Sequence, residues 1–279
     1  MTIYQKLLRM TYRHLLSSLI LFGIIGLNLQ AGASPYSLNV DFSYSQNNFS
    51  SQDADFDSSF SAELNPRIQH HDKSITYLLT SFNKSLVDDH LFRWNNSLIA
   101  HQRPLYAKEN ETQSQLIPHK VSHEVRLYLP TDSEQRRLTS QKTKLYYTVS
   151  STWLKPFFAI FYAPFLSKDF HSYQTKRSGG SNTSWTLGNT LAFILTPYDR
   201  WEAKISLQYS KSWTYQGVSK DDYLKHAQEI SYTTPLDVAV TLGHSNEGSA
   251  IKPDGHTRNI QVYGVQQSIF YLSLSKMFQ

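Results

Sequence analysis

Hydrophobic and polar residues trade places with a period of two along the stretch from Trp185 to Tyr215. On the second arm Trp201, Ala203, Ile205, Leu207 and Tyr209 alternate with Glu202, Lys204, Ser206, Gln208 and Ser210. On the first arm Trp185, Leu187, Leu191, Phe193 and Leu195 oppose Thr186, Gly188, Thr190 and Ile194. Between the arms, Thr196-Pro197-Tyr198-Asp199-Arg200 has room only for a tight turn. A repeat of two is a strand with unlike faces, so the stretch predicts an antiparallel hairpin.

The apolar face of the second arm carries rings at its ends, Trp201 at one and Trp213 with Tyr215 at the other, and mostly aliphatic residues between. About twelve residues at ~3.4 Å each, tilted by about 40°, rise roughly 30 Å. That height separates the two aromatic girdles of a hydrocarbon slab, and it predicts a transmembrane β-barrel. A long hairpin of a soluble β-sandwich alternates in the same way.

Alternation recurs along the chain. Strands are predicted over 36–45, 56–64, 74–83, 91–100, 121–129, 142–153, 156–166, 227–233 and 236–242, besides the hairpin and the C-terminal stretch. Residues 103–119 read as a loop, 130–141 as a charged connection, and 167–183, 216–225 and 244–258 as long hydrophilic loops. Turns at 196–200 and 234–235 are short by contrast, as expected of a barrel with short turns at one end and long loops at the other. With an even strand number, this phasing predicts an all-β, antiparallel up-and-down barrel of about 12 strands, with ten and fourteen as alternatives.

At the C-terminus Phe270, Leu272, Leu274, Lys276 and Phe278 alternate with Tyr271, Ser273, Ser275 and Met277. This end resembles the amphipathic closing strand of Gram-negative outer-membrane β-barrel proteins, departing from it in the Gln279 that follows the aromatic. The resemblance is to an architectural class, covers the mature chain, and implies a cell outer membrane location. It also implies contact with outer-membrane lipid and lipopolysaccharide, and handling by the barrel-assembly machinery through the last strand.

Export fits the N-terminus. Lys6, Arg9, Arg13 and His14 precede an apolar run from Leu15 to Leu27, and Ala31-Gly32-Ala33 follows. These are the parts of a signal peptide over 1–33, with one barrel domain expected over 34–279. Loss of Lys6, Arg9 and Arg13 takes the formal charge from +5 to +2, so basicity says little about nucleic acid, and none is expected as a partner. The sequence has no cysteine, which excludes disulfides and thiolate metal sites.

On this phasing Asp41, Glu63, Glu124, Arg126, Lys144, Glu202, Lys204, Gln208 and Asp237 face the lumen, and Trp185, Trp201, Trp213, Tyr215, Phe270 and Phe278 form the membrane girdles. Lumen charges of both signs suit a narrow polar channel for small hydrophilic solutes, or else pair across the lumen and plug it. Lys142, Lys144 and Lys204 lean toward anionic solutes, offset by nearby carboxylates. Lys211, near one girdle, either reaches a lipopolysaccharide phosphate or snorkels to water.

The resulting expectation is a small porin-like channel for passive diffusion, with no cofactor, no metal and no catalytic residues. The alternative is a non-conducting barrel with a structural or surface-binding role through its outer loops. An outer-membrane lipid hydrolase is a lesser one. Its best candidate, His244-Ser245-Asn246-Glu247-Gly248, has base and nucleophile adjacent in sequence. His70-His71-Asp72 reads as a solvated turn rather than a metal site.

Overall fold

The computed structural model describes residues 34–47, 57–87, 92–107, 118–155, 157–220, 222–249 and 268–278. The expected leader at 1–33 lies outside the described residues.

Chain order is β1 (Tyr36–Asn47), β2 (Ser58–Gln69), β3 (Ile75–Ser85), β4 (Phe92–Trp94), β5 (Ser97–Ala107), β6 (Lys120–Leu129), helix α1 (Ser133–Thr139), β7 (Gln141–Leu154), β8 (Phe158–His171), β9 (Thr183–Leu195), β10 (Trp201–Thr214), β11 (Tyr223–Thr233), β12 (Val238–Ser249) and β13 (Ser268–Phe278). Leaving β4 aside, each strand lies beside the next and β13 lies beside β1, which closes a barrel of twelve strands. Every registered pair is antiparallel. Closure satisfies each strand's backbone hydrogen bonds from its neighbours and leaves no edge.

The links at the two ends are unequal. At the end where β1 begins and β13 finishes, three turns span only 70–74, 196–200 and 234–237. Each uses a left-handed residue, with φ of 62° at Lys73, 70° at Arg200 and 57° at Asp237. In the first, Asp72 Oδ1 accepts from Ser74 N at 3.1 Å and Ser74 Oγ at 2.6 Å. Such Asx capping is why Asp and Asn favour turns. Most of the link between β5 and β6 lies outside the described residues.

The long-loop end carries the additional structure. Asp132 caps α1 by accepting from Glu134 N at 2.9 Å and Gln135 N at 3.0 Å, and the helix stops at Ser140, whose φ is 54°. Sequence periodicity reads 130–141 only as a charged connection; the Asp N-cap was the available signal for a helix. β4 pairs with β3 from Phe82↔Trp94 to Lys84↔Phe92, and Asn95-Asn96 then breaks the run before β5 starts. The strand expected over 91–100 is therefore two strands, and β5 continues to Ala107 inside the segment read as loop.

Other loops are also shorter than the sequence reading. β8 extends to His171, β11 starts at Tyr223, and β12 runs to Ser249, through a glycine-containing segment whose alternation is polar and so carries no hydrophobic signal. The expected strand at 156–166, apolar on both faces, belongs to β8.

Candidate functional site

Residues paired in register share a face, so the ladders sort the wall into two sides. One holds Leu187, Phe193, Leu207, Ile230 and Leu242, all exposed. The other holds the polar alternates. Asp41 faces Glu63 in register, Glu124 and Arg126 lie two residues apart on β6, Arg126 pairs with Tyr146 of β7, and Lys144 pairs with Asp169. Gln208 pairs with Lys225, and Lys204 with Glu229. Glu202 shares their face at the short-turn rim, while Asp237 sits in the turn before β12.

The ion pairs on this polar face follow the wall. Arg126 bonds Glu124 on the same strand. Lys144 Nζ lies 3.8 Å from Asp169 Oδ2, Lys204 Nζ 2.8 Å from Glu229 Oε2, and Lys225 Nζ 3.0 Å from Glu247 Oε2, each between adjacent strands. Among the described residues no ion pair joins opposite sides of the barrel. Partial exposure, 34% for the Lys204 side chain and 43% for Lys225, keeps these groups in contact with solvent.

Two glycines hold inward rings flat. Tyr271 faces Gly243 in register, and a Cβ on Gly243 would meet Tyr271 Cζ at 2.1 Å. Lying across β12, Tyr271 donates its hydroxyl to Glu229 Oε1 at 2.6 Å, on the strand beyond. Phe165 likewise covers Gly188, where a Cβ would meet Phe165 Cζ at 2.5 Å. Tyr146 stacks on Phe165 with centroids 5.1 Å apart, and the Arg126 guanidinium lies 4.9 Å from the Tyr146 ring. Sequence reasoning missed this layering, although Gly188 and Gly243 on otherwise alternating strands were its signal.

On the outward side Trp185 pairs with Trp213 toward the long-loop end, and Trp201 packs on Tyr232 at 4.9 Å toward the other. Phe270 packs on His244 at 4.9 Å, and Phe278 ends β13. Tyr215, beyond β10, donates to Asp169 O at 2.6 Å and accepts from His171 N at 3.1 Å. Lys211 is paired with Asp222 at 3.5 Å.

The remaining candidates separate. On β12, Ser245 shares a face with Ala227 and His244 takes the opposite one with Gln228, so this adjacent hydroxyl and imidazole do not converge. His70 Nε2 and His101 Nδ1 both lie within hydrogen-bond reach of Thr76 Oγ1, at 2.8 and 3.0 Å, while Asp72 serves its turn. Among the described residues no group of three or more His, Cys, Asp or Glu is placed to hold a metal ion.

No family model and no curated protein matches the chain by sequence. Solved structures do match by shape. An outer membrane channel from Pseudomonas putida F1 superposes with a TM-score of 0.58 at 12% identity, covering 90% of this chain and 98% of its own. The fold is that of outer-membrane channels. The NanC porin matches with a TM-score of 0.51 at 8% identity, covering 86% of this chain and 98% of its own.

Proposed function

We propose that the chain is a porin-like channel of the Gram-negative outer membrane, passing small hydrophilic solutes by diffusion without cofactor or covalent chemistry. The observation that carries this reading is the direction of the charges. Arg126, Lys144, Lys204 and Lys225 find their carboxylates on the same or the adjacent strand, so pairing does not drag side chains across the lumen. Flat rings at Tyr271 and Phe165 act the same way. Likeness in fold to a porin and an outer membrane channel supports it.

In this reading Asp41, Glu63, Glu124, Arg126, Lys144, Glu202, Lys204 and Gln208 line or rim the pore. Trp185, Trp213, Trp201, Phe270 and Phe278 meet lipid, the leader at 1–33 directs export, and β13 is the strand that the assembly machinery engages. One observation favours a second reading, a barrel acting through its outer surface. Arg93 of β4 pairs with Glu134 of α1, and Asn96 Nδ2 donates to Gln135 Oε1 at 2.7 Å, which fixes part of the long-loop end.

Single-channel recording of the mature protein refolded into a planar bilayer separates the two, with a heat-modifiability gel to establish folding. Current steps of reproducible size are expected. A folded barrel without current would remove the channel reading and leave the outer surface as the place of function.

A further inference from the structure

At the long-loop end the inner wall opens into a recess of ≈ 250 Å³ whose lining includes Gln141, Lys144, Asp169, Lys176, Thr183 and Ser212. The wall contributes Lys144, and the 172–182 loop contributes Lys176. That loop is fixed by backbone bonds from Asn182 N to Gln174 O at 2.8 Å and from Arg177 N to Leu138 O of α1 at 3.0 Å. A third ammonium stands alongside, since Lys220 Nζ donates to Thr183 Oγ1 at 2.8 Å.

These cations outnumber their counter-charge. Among the described residues of the lining Asp169 is the one carboxylate, and besides the lysines His171 is the other titratable group. Asp169 is already engaged: one oxygen accepts from Gln141 Nε2 at 3.1 Å, and the other lies 3.8 Å from Lys144 Nζ. Lys176 has no salt-bridge partner among the described residues, and Lys220 has only the Thr183 hydroxyl as a side-chain acceptor. Burial, with the Lys176 charge added, holds Lys220 below the usual lysine range. Lys144 and Lys176 in the lining and Lys220 beside it set three ammonium groups against one carboxylate, an excess of two positive charges, with the hydroxyls of Thr183, Thr186 and Ser212 among them.

The geometry points to a binding site for a small oxyanion, the carboxylate or phosphate group of a solute, held by Lys144, Lys176 and Lys220 at the long-loop mouth. Lysine ammonium groups are point donors that accept such oxygens from several directions. As the first station of a permeating solute, the site rests on the channel reading. Binding itself does not.

Equilibrium dialysis of labelled inorganic phosphate against the detergent-refolded mature barrel tests it without requiring current. Saturable binding is expected, weakened roughly tenfold or more in Lys144→Gln/Lys176→Gln, since each lost charge at contact distance removes a large share of the attraction. Lys176→Gln alone, on a loop, serves if the double variant does not refold. Asp169→Asn is expected to tighten binding by removing the competing carboxylate, and Lys120→Gln, at the opposite mouth, to leave it unchanged. Absence of saturable binding, equal weakening by Lys120→Gln, or indifference to Lys176→Gln would overturn the site. In bilayers, phosphate on the long-loop side should reduce chloride current in wild type and not in Lys176→Gln. Phosphate bound by a folded barrel that carries no current would sink the channel reading and leave the site standing.

Discussion

Tyr271 lies flat over Gly243, directly opposite it in the ladder, and its hydroxyl crosses β12 to reach Glu229. Glu229 also holds Lys204 at 2.8 Å, so one network runs along the wall from β10 to β13. The missing side chain at position 243 is what permits it. A Cβ there would overlap the far end of the ring and its hydroxyl.

Gly243→Ala is therefore expected to turn the Tyr271 ring off the wall and into the lumen. The atoms that clash are the far end of a movable side chain, so the barrel still folds. Loss of a hydrogen bond to a charged acceptor lowers stability by about 1.5–3 kcal/mol. Conductance falls as the ring enters the pore, and a second change, Tyr271→Ala, restores it. Single-channel current and the temperature of the heat-modifiability transition read the two effects separately.

Gly188→Ala meets a different obstacle. Its Cβ would stand 2.5 Å from Phe165 Cζ and also 2.5 Å from Tyr209 O, which is backbone of the neighbouring strand. Removing the ring with Phe165→Ala cannot relieve that second contact. The expectation is a larger stability loss than at Gly243, about 3 kcal/mol or more, at or beyond the upper end of the range for an overpacked core. The double variant should be no more stable than Gly188→Ala alone, and recovery would mean that only the ring mattered.

The sidedness of the wall has its own test on β10. Leu207, outward and near mid-strand, becomes a charge in lipid when changed to arginine, at a cost of about 2–4 kcal/mol. The next residue, Gln208, points to the polar side with Lys225, and Gln208→Arg is expected to stay within about 0.5 kcal/mol of wild type while altering conductance. Denaturant titration of both variants in detergent or lipid reports the contrast. Equal costs would show that both faces see the same medium.

Most of the barrel was written in alternation, and the failures mark where alternation stops carrying hydrophobic contrast. Twelve predicted strands correspond in order to the twelve that close the ring. β12 was cut short because His244, Asn246 and Gly248 continue the outward row without an apolar residue. β5 was displaced because Asn95-Asn96 divides two strand-like runs that both pair with β3, and only pairing with β6 decides which belongs to the wall. Asp237 stands in a turn, with a left-handed backbone, and on the strands the polar alternation itself was legible. The partners of its residues were not, because Lys204 meets Glu229 only through a register set by three-dimensional pairing. The recess was invisible for the same reason: Lys144, Lys176 and Lys220 come from a strand and two separate loops.

At the turn between β2 and β3 the carboxyl of Asp72 is held below its usual range, chiefly by the bonds it accepts from the Ser74 hydroxyl and amide. A depressed folded value means that the ionised form supports the turn. That support is full above the ordinary aspartate range near ~4 and disappears as pH falls through the lower, folded value. Hydrogen-exchange protection of the Ser74 amide, relative to the peptide rate, should be constant from neutral pH down to about 4 and decline below it. Asp72→Ala should show the low-protection level at every pH.

Lys204 and Glu229 give the sign of the field on the wall. Lys204→Gln leaves Glu229 with Tyr271 as its remaining close partner and a net negative charge on that part of the wall, whereas Glu229→Gln leaves Lys204 uncompensated. If the polar face lines a water-filled pore, reversal potentials in a salt gradient move in opposite directions, toward cation preference in the first variant and anion preference in the second. The double variant keeps the hydrogen-bonding shapes, removes both charges, and should return close to the wild-type potential. Two single variants that shift the potential in the same direction, or not at all, would mean that the pair does not face the path of the ions, and the lining assigned to β10 and β11 would then be wrong.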